Sequence, residues 1–322
     1  MKPSVKMLQA MSSMLSIQKE AHLMDLNDAD FIPVNIQDIP LIQSYLLKTN
    51  YEESNHNIVN FFQWIKQYPL WKYATEHYLL LLGVHKGKLF SYMPLCEAQY
   101  FEEAILKDKA IFNQFNIPFE LSCFTEKEKD KVLALLPMAY VTCEEDASDY
   151  VYEADKLRTL SGGKLQKRRN HYNAFLRNTD GRVLTEEITS LNKDEVKAFL
   201  ALWKTDSNDE YFLYEKEGVF SILDLIGVLP CRGLLLRIDG EIKAFLIGTK
   251  SSERMVQINI EKADPTIRGL YQAIEVEYLK TFYTDAILVN REDDMGLESL
   301  RQAKRALDPL MMIHKYRLRE HL

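Results

Sequence analysis

The stretch that decides the fold is Met255–Ile274, MVQINIEKADPTIRGLYQAI. Residues Met255–Ala263 predict a strand, Pro265 predicts a loop, and the pattern that follows predicts a helix over Gly269–Tyr283. A hairpin precedes this strand, and its turn at Asp239-Gly240 is the strongest turn signal in the sequence. Strands that alternate with helices in this way predict an α/β fold.

The same order of elements occurs nearly twice along the 322 residues. It begins with a strand and two helices, continues through a hairpin, and ends on one continuous strand at Leu310–Leu318. A chain of this length is expected to form two domains. We predict a leader at residues 1–29, a first α/β domain at 30–155 and a second at 156–322, which includes a bridging basic helix.

The composition is that of a folded protein, since 47% of the residues are hydrophobic and 27% are charged. The formal net charge of -7 argues against a dedicated nucleic-acid coat protein, although a local basic patch can still bind phosphates. No apolar run reaches the roughly 18 residues of a membrane helix, and the first residues lack the apolar core of a signal peptide. These features predict a cytoplasmic protein.

Cysteine and histidine residues are scattered along the sequence. The four cysteines form no CxxC pair, the seven histidines form no HExxH motif, and no GxSxG sequence occurs. Zinc sites and many nucleophile motifs need such residues at fixed short spacings. We therefore expect reduced cysteines and a site that needs neither a metal ion nor a thiol.

A basic segment, Leu160–Tyr172 (LSGGKLQKRRNHY), stands out in this acidic chain. One face of a helix here would carry Lys164, Lys167, Arg168 and His171, and another would turn Leu165, Tyr172 and Leu176 toward a core. Like charges at this spacing destabilise a helix unless an anion lies among them. The cations either contact a phosphate or substrate, or pair with nearby acids. Those acids are Glu144, Glu145, Asp146, Asp149, Glu153 and Asp155.

The loop before Gly269 is a second candidate anion site. A helix N-terminus exposes unpaired N–H groups and partial positive charge. Gly269 lets the backbone approach a phosphate closely, and Arg268 adds a positive charge. The alternative is an ordinary turn that leads into a helix.

The sequence VNREDDMG (Val289–Gly296) ends an apolar strand. Ligand sites in open α/β sheets lie beyond the carboxyl ends of strands, so its charged residues are expected to face a cleft together with those that end the neighbouring strand. These residues are Arg291, Glu292, Asp293, Glu261 and Lys262. A buried carboxylate among them would act as a general base toward an amine. The alternative is a network of arginine and carboxylates that only braces the strand ends.

The last predicted helix, Leu297–Leu307, has two faces. The predicted buried stripe consists of Leu297, Leu300, Ala303 and Leu307. The second cationic face consists of Arg301, Lys304 and Arg305. Two cationic faces in one chain suggest a shared polyanionic ligand.

Four motifs resemble those of one known family. They are SDYVYEADKLRTLSGGKLQKRRN, NIEKADPTIRGLYQAI, NREDDMGLESLRQAKRALDP and IHKYRL. In this order they look like the phosphatidylglycerol lysyltransferase C-terminal domain family, and the likeness extends from Asp30 onward. Its members resemble tandem GNAT domains, the acetyltransferase fold, and the aminoacyl-transferases that build peptidoglycan bridges.

The resemblance implies two GNAT-like halves and an acyl or aminoacyl group as the transferred group. It also implies that Lys167, Arg168 and Asn170, which match a KRN signature, contact substrate. The loop before Gly269 stands where a GNAT fold has the loop that binds its cofactor pyrophosphate. Tyr271 stands where that loop has a small residue, which argues against ordinary acetyl-CoA. Full-length lysyltransferases also carry a multi-span membrane domain, and no such segment occurs in this sequence.

We therefore predict a transferase that moves an acyl or aminoacyl group to an amine, with its cleft in the second domain near the domain junction. The donor is expected to be anionic, either an acyl-CoA or an aminoacyl-tRNA. The alternative is a non-catalytic pair of GNAT-like domains that binds RNA or another polyanion. The candidate catalytic residues are Glu292, Asp293 and Glu261. The candidate binding residues are Lys167, Arg168, Asn170, Lys262, Arg268, Gly269, Tyr271, Asn290, Arg291, Arg301 and Lys304.

Overall fold

The computed structural model describes residues 31–85, 87–203 and 210–320. The predicted leader at 1–29 lies outside these described residues. Contacts divide the described chain into two units. The first unit contains the described residues up to Tyr51, then Trp64–Glu145 and the residues from His314 onward. The second contains Glu52–Gln63 and Asp146–Ile313.

Helices and strands alternate along the described chain. The helices are α1 (Ile39–Thr49), α2 (Ile58–Trp64), α3 (Phe101–Gln114), α4 (Glu126–Leu135), α5 (Ala154–Thr159), α6 (Gln166–Asn178), α7 (Lys193–Leu202), α8 (Glu210–Asp224), α9 (Leu270–Phe282) and α10 (Glu298–Arg305). The strands are β1 (Ile32–Pro33), β2 (Leu70–Ala74), β3 (Tyr78–His85), β4 (Lys88–Tyr92), β5 (Leu95–Cys96), β6 (Glu120–Thr125), β7 (Ala139–Cys143), β8 (Asp149–Glu153), β9 (Val183–Glu187), β10 (Cys231–Ile238), β11 (Glu241–Lys250), β12 (Met255–Ala263), β13 (Leu288–Asn290), β14 (Met311–Ile313) and β15 (Lys315–Glu320).

Each unit is built on one mixed sheet. The first has the order β1-β2-β3-β4-β6-β15-β7, with β5 beside β3, and the second has the order β14-β8-β13-β12-β11-β10-β9. Among the described strands each sheet has one parallel pair, β4 with β6 and β12 with β13, and antiparallel pairs on either side. The predicted mixed α/β class is confirmed.

The two halves of the sequence exchange one strand each. The strand predicted at Leu310–Leu318 is two strands: β14 pairs with β8 in the second sheet, and β15 lies between β6 and β7 in the first. β8 precedes residue 156, yet it pairs with β13 because its Tyr150 and Tyr152 are buried in the second core. A boundary at residue 155 therefore does not separate the two sheets.

The basic segment forms helix α6, but the helix begins at Gln166 and leaves Lys164 outside. Lys164 pairs with Asp308, at an Nζ–Oδ1 distance of 2.8 Å. Phe175 is buried, whereas the predicted core residue Leu176 is 45% exposed. That prediction was wrong because Phe175 and Leu176 lie at i+3 and i+4 from Tyr172, and helical spacing alone does not decide which of the two faces the core.

Helix α10 does not bury its predicted stripe. The stripe consisted of Leu297, Leu300, Ala303 and Leu307, and of these Leu307 is buried. No residue within the helix itself is buried. The helix is held instead by Arg301 and Lys304, whose side chains hydrogen-bond to the loop that precedes it.

Candidate functional site

The candidate site lies where the central parallel pair of the second sheet separates. β12 and β13 pair from Met255 and Leu288 as far as Gln257 and Asn290. β13 ends there, whereas β12 continues to Ala263. This is the carboxyl end of β13, and open α/β sheets bind their ligands beyond the carboxyl ends of strands.

Three side-chain amides hold Glu292, and we call them the amide cage: Asn60, Gln257 and Asn259. Their N–H groups donate to Oε1 of Glu292 at 3.0, 2.7 and 3.4 Å, respectively. Within the described residues the other oxygen, Oε2, accepts no hydrogen bond. The carboxylate is thus oriented through one oxygen while the other remains available.

A β-bulge brings Asn259 to the cage. In the pairing of β11 with β12, Ile247 faces Ile260 and the next residue, Gly248, faces Ile258. Asn259 is therefore an extra residue in β12. Bulges re-aim side chains and are frequent beside active sites.

Burial raises the pKa of Glu292 to about 7. The hydrogen bond from Gln257 and the positive charge of Lys304 oppose this shift, whereas the negative charge of Asp293 adds to it. A carboxyl group whose pKa lies near the working pH is suited to accept a proton and release it again.

Arg291, the residue before Glu292, forms a largely buried ion-pair cluster with carboxylates of β12 and α9. Its guanidinium pairs with Glu261 from β12 and, at 2.8 Å, with Glu275 from α9. Burial alone would lower the pKa of Arg291, but the two carboxylates raise it. Burial raises the pKa of Glu261 despite the neighbouring Arg291. Glu261 is thus committed to a brace between strand and helix.

The loop after Arg291 is fixed in a constrained backbone conformation. Glu292 has φ 60 and Met295 has φ 53, a region that costs non-glycine residues about 1–2 kcal/mol. The Lys304 ammonium donates to the carbonyl oxygens of Arg291 and Asp293, the residues on either side of Glu292. The two ends of Glu292 are thereby held in place.

Arg301 is also committed to protein partners. Its guanidinium donates to Asp294 at 2.9 and 3.0 Å and to Asp146 at 2.7 Å. Arg301 lowers the pKa of Asp294 to about 2. The predicted second cationic face therefore consists largely of groups that stabilise the loop, because helical spacing shows which residues share a face but not whether acids neutralise them.

The segment Glu52–Gln63, from the first half of the sequence, supplies Asn60 and is anchored by polar contacts. Asp149 is fully buried and accepts hydrogen bonds from the N–H and hydroxyl groups of Ser54 at 2.6 and 2.7 Å and from Asn290 at 3.0 Å. Oδ1 of Asn290 accepts the backbone N–H of Glu292 at 2.7 Å. Asn290, predicted to bind substrate, is thus a buried brace.

Three predicted binding residues surround His171 on α6. Burial lowers the pKa of His171, and the positive charges of Arg268, Lys167 and Arg168 lower it further. Arg168 donates to the carbonyl of Ala303 at 3.1 Å. Within the described part of the chain, Lys167 and Arg268 have neither an ion-pair nor a hydrogen-bond partner, and both are exposed. Asn170 is exposed on the same helix.

Gly269 is the N-cap of α9 and is required for packing. Its φ of 88 lies in the left-handed region, and a Cβ built on it would lie 2.3 Å from the carbonyl oxygen of His171 and 2.9 Å from Phe175. The space that we expected a phosphate to approach is thus occupied by α6.

We expect Gly269→Ala to destabilise the protein by about 2–3 kcal/mol, because it combines backbone strain with a steric clash. Urea unfolding of the variant measures this loss. Gly162→Ala is the matched control, since Gly162 also has a positive φ of 86 but a Cβ added there would have no neighbour within 4 Å. Equal losses in the two variants would show that close packing contributes nothing.

Lys262 and Tyr271 lie beside the carboxylate cluster. Lys262 pairs with Glu215 at 2.7 Å and lies over the Trp203 ring, 4.7 Å from its centroid. Burial and the charge of Glu261 raise the pKa of Tyr271 to about 12. Tyr271 packs against the hydrophobic core of the second unit, so its side chain helps to hold the first turn of α9 in place.

Neither a metal centre nor a membrane span is found in the described ranges. Among these residues no group of three or more His, Cys, Asp or Glu side chains is arranged to hold a metal ion. No helix of the described chain has the length and apolar character needed to cross a membrane.

Comparison with known families identifies the chain. Residues 48–319 match the family described as phosphatidylglycerol lysyltransferase, C-terminal. The chain belongs to this family. The match includes the amide cage, the Arg291 cluster and helix α6, so the whole candidate site lies within the family domain.

Three proteins are similar to this member of the phosphatidylglycerol lysyltransferase C-terminal family. A conserved protein of unknown function from Bacteroides thetaiotaomicron is 24% identical with a TM-score of 0.85, and the match covers 90% of this chain and 99% of that one. The structure of L-PGS from Bacillus licheniformis is 12% identical with a TM-score of 0.64, covering 87% and 91%. An uncharacterised protein from Mycoplasmoides gallisepticum is 30% identical over 175 residues, which cover 53% of this chain and 56% of that protein.

In this family member ten of the predicted residues fall into three groups. Glu292, Asp293, Arg291, Glu261, Asn290 and Lys304 come together at the ends of β12 and β13. Lys167, Arg168 and Arg268 surround His171, whereas Arg301 stabilises the loop. Sequence reasoning missed Asn60, Gln257, Asn259 and Glu275. Gln257 and Asn259 interrupt an apolar strand, which is the signal that would have revealed them.

Proposed function

We propose that this protein is a transferase that moves an acyl or aminoacyl group from an anionic donor to an amine, with Glu292 as the general base. The proposal rests on the free oxygen of Glu292: Oε2 accepts no hydrogen bond from the described residues. Burial also raises the pKa of this carboxyl group to about 7. Membership of the phosphatidylglycerol lysyltransferase C-terminal family supports the reaction class.

The chemistry assigns one proton to Glu292. As the acceptor amine attacks the carbonyl carbon of the donor, a C–N bond forms and the amine proton passes to Oε2. The bond from that carbon to the donor, C–O for an aminoacyl-tRNA or C–S for an acyl-CoA, then breaks. The proton leaves Glu292 for the departing oxygen or sulfur. Holding donor and acceptor together supplies much of the remaining acceleration.

The basic residues around His171 suit an anionic donor. Lys167 and Arg268 are exposed. Their positive charges, together with that of Arg168, lower the pKa of His171. Gly269 packs against α6, and Arg268 therefore lies near the cations of that helix. A spread of separate cations favours the acceptor end of a tRNA over a compact pyrophosphate.

The direct test supplies lysyl-tRNA or acetyl-CoA with hydroxylamine as a small amine acceptor and measures the hydroxamate formed above the uncatalysed background. We expect protein-dependent hydroxamate from lysyl-tRNA. Binding of tRNA without turnover of either donor would contradict the transferase and favour a non-catalytic polyanion-binding module.

We expect the tRNA affinity of the double variant Lys167→Ala/Arg268→Ala to fall less steeply than that of wild type as the salt concentration rises. Each lost phosphate contact reduces the slope of log K against log salt by about 0.7–0.9, so the pair reduces it by roughly 1.5. Filter binding across a salt series measures the slope. Lys250→Ala, an exposed lysine on β11, is the matched control. An unchanged slope in the double variant would remove these residues from the donor site.

A further inference from the structure

The amide cage has a more specific role than supporting the fold. We infer that Asn259 and Asn60 are positioning residues that fix Oε1 of Glu292, so that Oε2 alone receives the proton of the acceptor. This inference rests on the proposed function, because it concerns the same carboxylate. It assigns a role to residues that lie outside the charged motifs of the site.

The network gives each amide a single orientation. The NH2 group of Asn60 donates to the backbone carbonyl of Ser54 at 2.8 Å, and because a carbonyl oxygen only accepts, this contact fixes the orientation of the Asn60 amide. The same NH2 group donates to Glu292 at 3.0 Å. Oδ1 of Asn60 therefore faces Asn259, whose NH2 group donates to it at 3.0 Å. Oδ1 of Asn259 then accepts the Thr249 hydroxyl at 2.9 Å.

The backbone removes the remaining freedom of Glu292. Its N–H donates to Asn290 Oδ1 at 2.7 Å, and its carbonyl accepts the N–H of Tyr150 at 3.1 Å. With the left-handed backbone held at both ends and Oε1 held by the cage, the direction of Oε2 is determined. A proton acceptor held in one geometry is what proton transfer in a transition state requires.

The amide cage contains a buried polar atom without a hydrogen-bond partner, a destabilising feature that is typical of functional sites. Gln257 is fully buried, and its Oε1 has no hydrogen-bond partner. A buried unsatisfied acceptor destabilises a protein, because the group has lost its hydrogen bonds to water and gained none in return. A core selected for stability alone would place an apolar residue here, so the polar side chain is better explained by its contact with Glu292.

The test uses Asn259→Ala, Asn60→Ala and Asn259→Asp. The first two remove a donor from the charged form of Glu292 and should raise its pKa by about one unit. The third places a second carboxylate in the cage and should raise it further. The charged groups that face Glu292 are Lys304 from α10 and Asp293 from its own loop, and all three variants retain both. Asn173→Ala, exposed on α6, is the matched control.

Two readouts separate this inference from the proposed function. Carbon-13 NMR follows the Glu292 carboxyl through a pH titration without substrate, and the hydroxamate assay gives the acidic limb of the pH–rate profile. We expect both to move upward together in the cage variants and to stay in place in Asn173→Ala. An unchanged NMR titration would overturn the inference while leaving Glu292 as a candidate base. A shifted titration with an unshifted acidic limb would overturn the proposed function.

Discussion

Glu292→Gln is expected to lower the rate of hydroxamate formation by about 10²–10⁴-fold, the usual contribution of a positioned general base. The substitution retains the size of the side chain and an oxygen for the amide cage, but it removes the group that accepts the proton. Wild-type activity should fall as the pH drops through about 7, because Glu292 is protonated there. The residual activity of the variant should lack this limb.

A stability measurement excludes unfolding as the cause. The pKa of Glu292 is raised in the folded state from 4.5 to about 7, so the folded protein binds more protons between these values and its stability falls as the pH rises through them. Glu292→Gln should therefore be more stable than wild type above pH 7. Glu298→Gln, exposed at the start of α10, is the control. Retained activity in Glu292→Gln would contradict the assignment.

Arg291→Met is expected to destabilise the protein by about 3–5 kcal/mol at pH 8, since it leaves Glu261 and Glu275 without their buried cation. Losing Arg291 removes the positive charge that lowers the pKa of Glu261 in the folded state. The stability that protonated Glu261 provides is therefore present at low pH and lost as the pH rises. Urea unfolding should show a much smaller deficit at pH 5 than at pH 8.

The triple variant Arg291→Met/Glu261→Gln/Glu275→Gln is the matched control. It removes both carboxylates with the cation, so most of the lost stability should return at pH 8. Recovery would show that the cluster is a brace between β12 and α9. A deficit that is equal at both pH values, or that persists in the triple variant, would contradict this role.

The local elements were predictable because their signals are local. The strand–loop–helix at Met255–Tyr283 is found as β12 and α9, within one residue at each boundary. The strand exchange was not predictable. His314 separates β14 from β15 without a glycine or proline, and which strands they pair with depends on contacts far away along the chain.

The site was predictable where it follows a general rule and unpredictable where it depends on distant partners. Arg291 and Glu261 lie near strand ends, where ligand sites in α/β sheets occur. Asn60 lies 232 residues before Glu292, so no local pattern connects the two. Asn259 reaches the cage through a bulge, which exists only relative to the register of β11.

Because β15 lies between β6 and β7, the first sheet cannot be completed until the end of the chain has been synthesised. Glu144, just after β7, and its ion-pair partner Arg317 on β15 are 173 residues apart, which at about 5–20 residues per second takes a ribosome roughly 9–35 seconds. Until β15 emerges, β6 and β7 lack the strand that lies between them, and an unpaired strand edge invites pairing with other chains. We therefore expect the rate of translation and the supply of chaperones to affect how much of this protein reaches its native state in a cell.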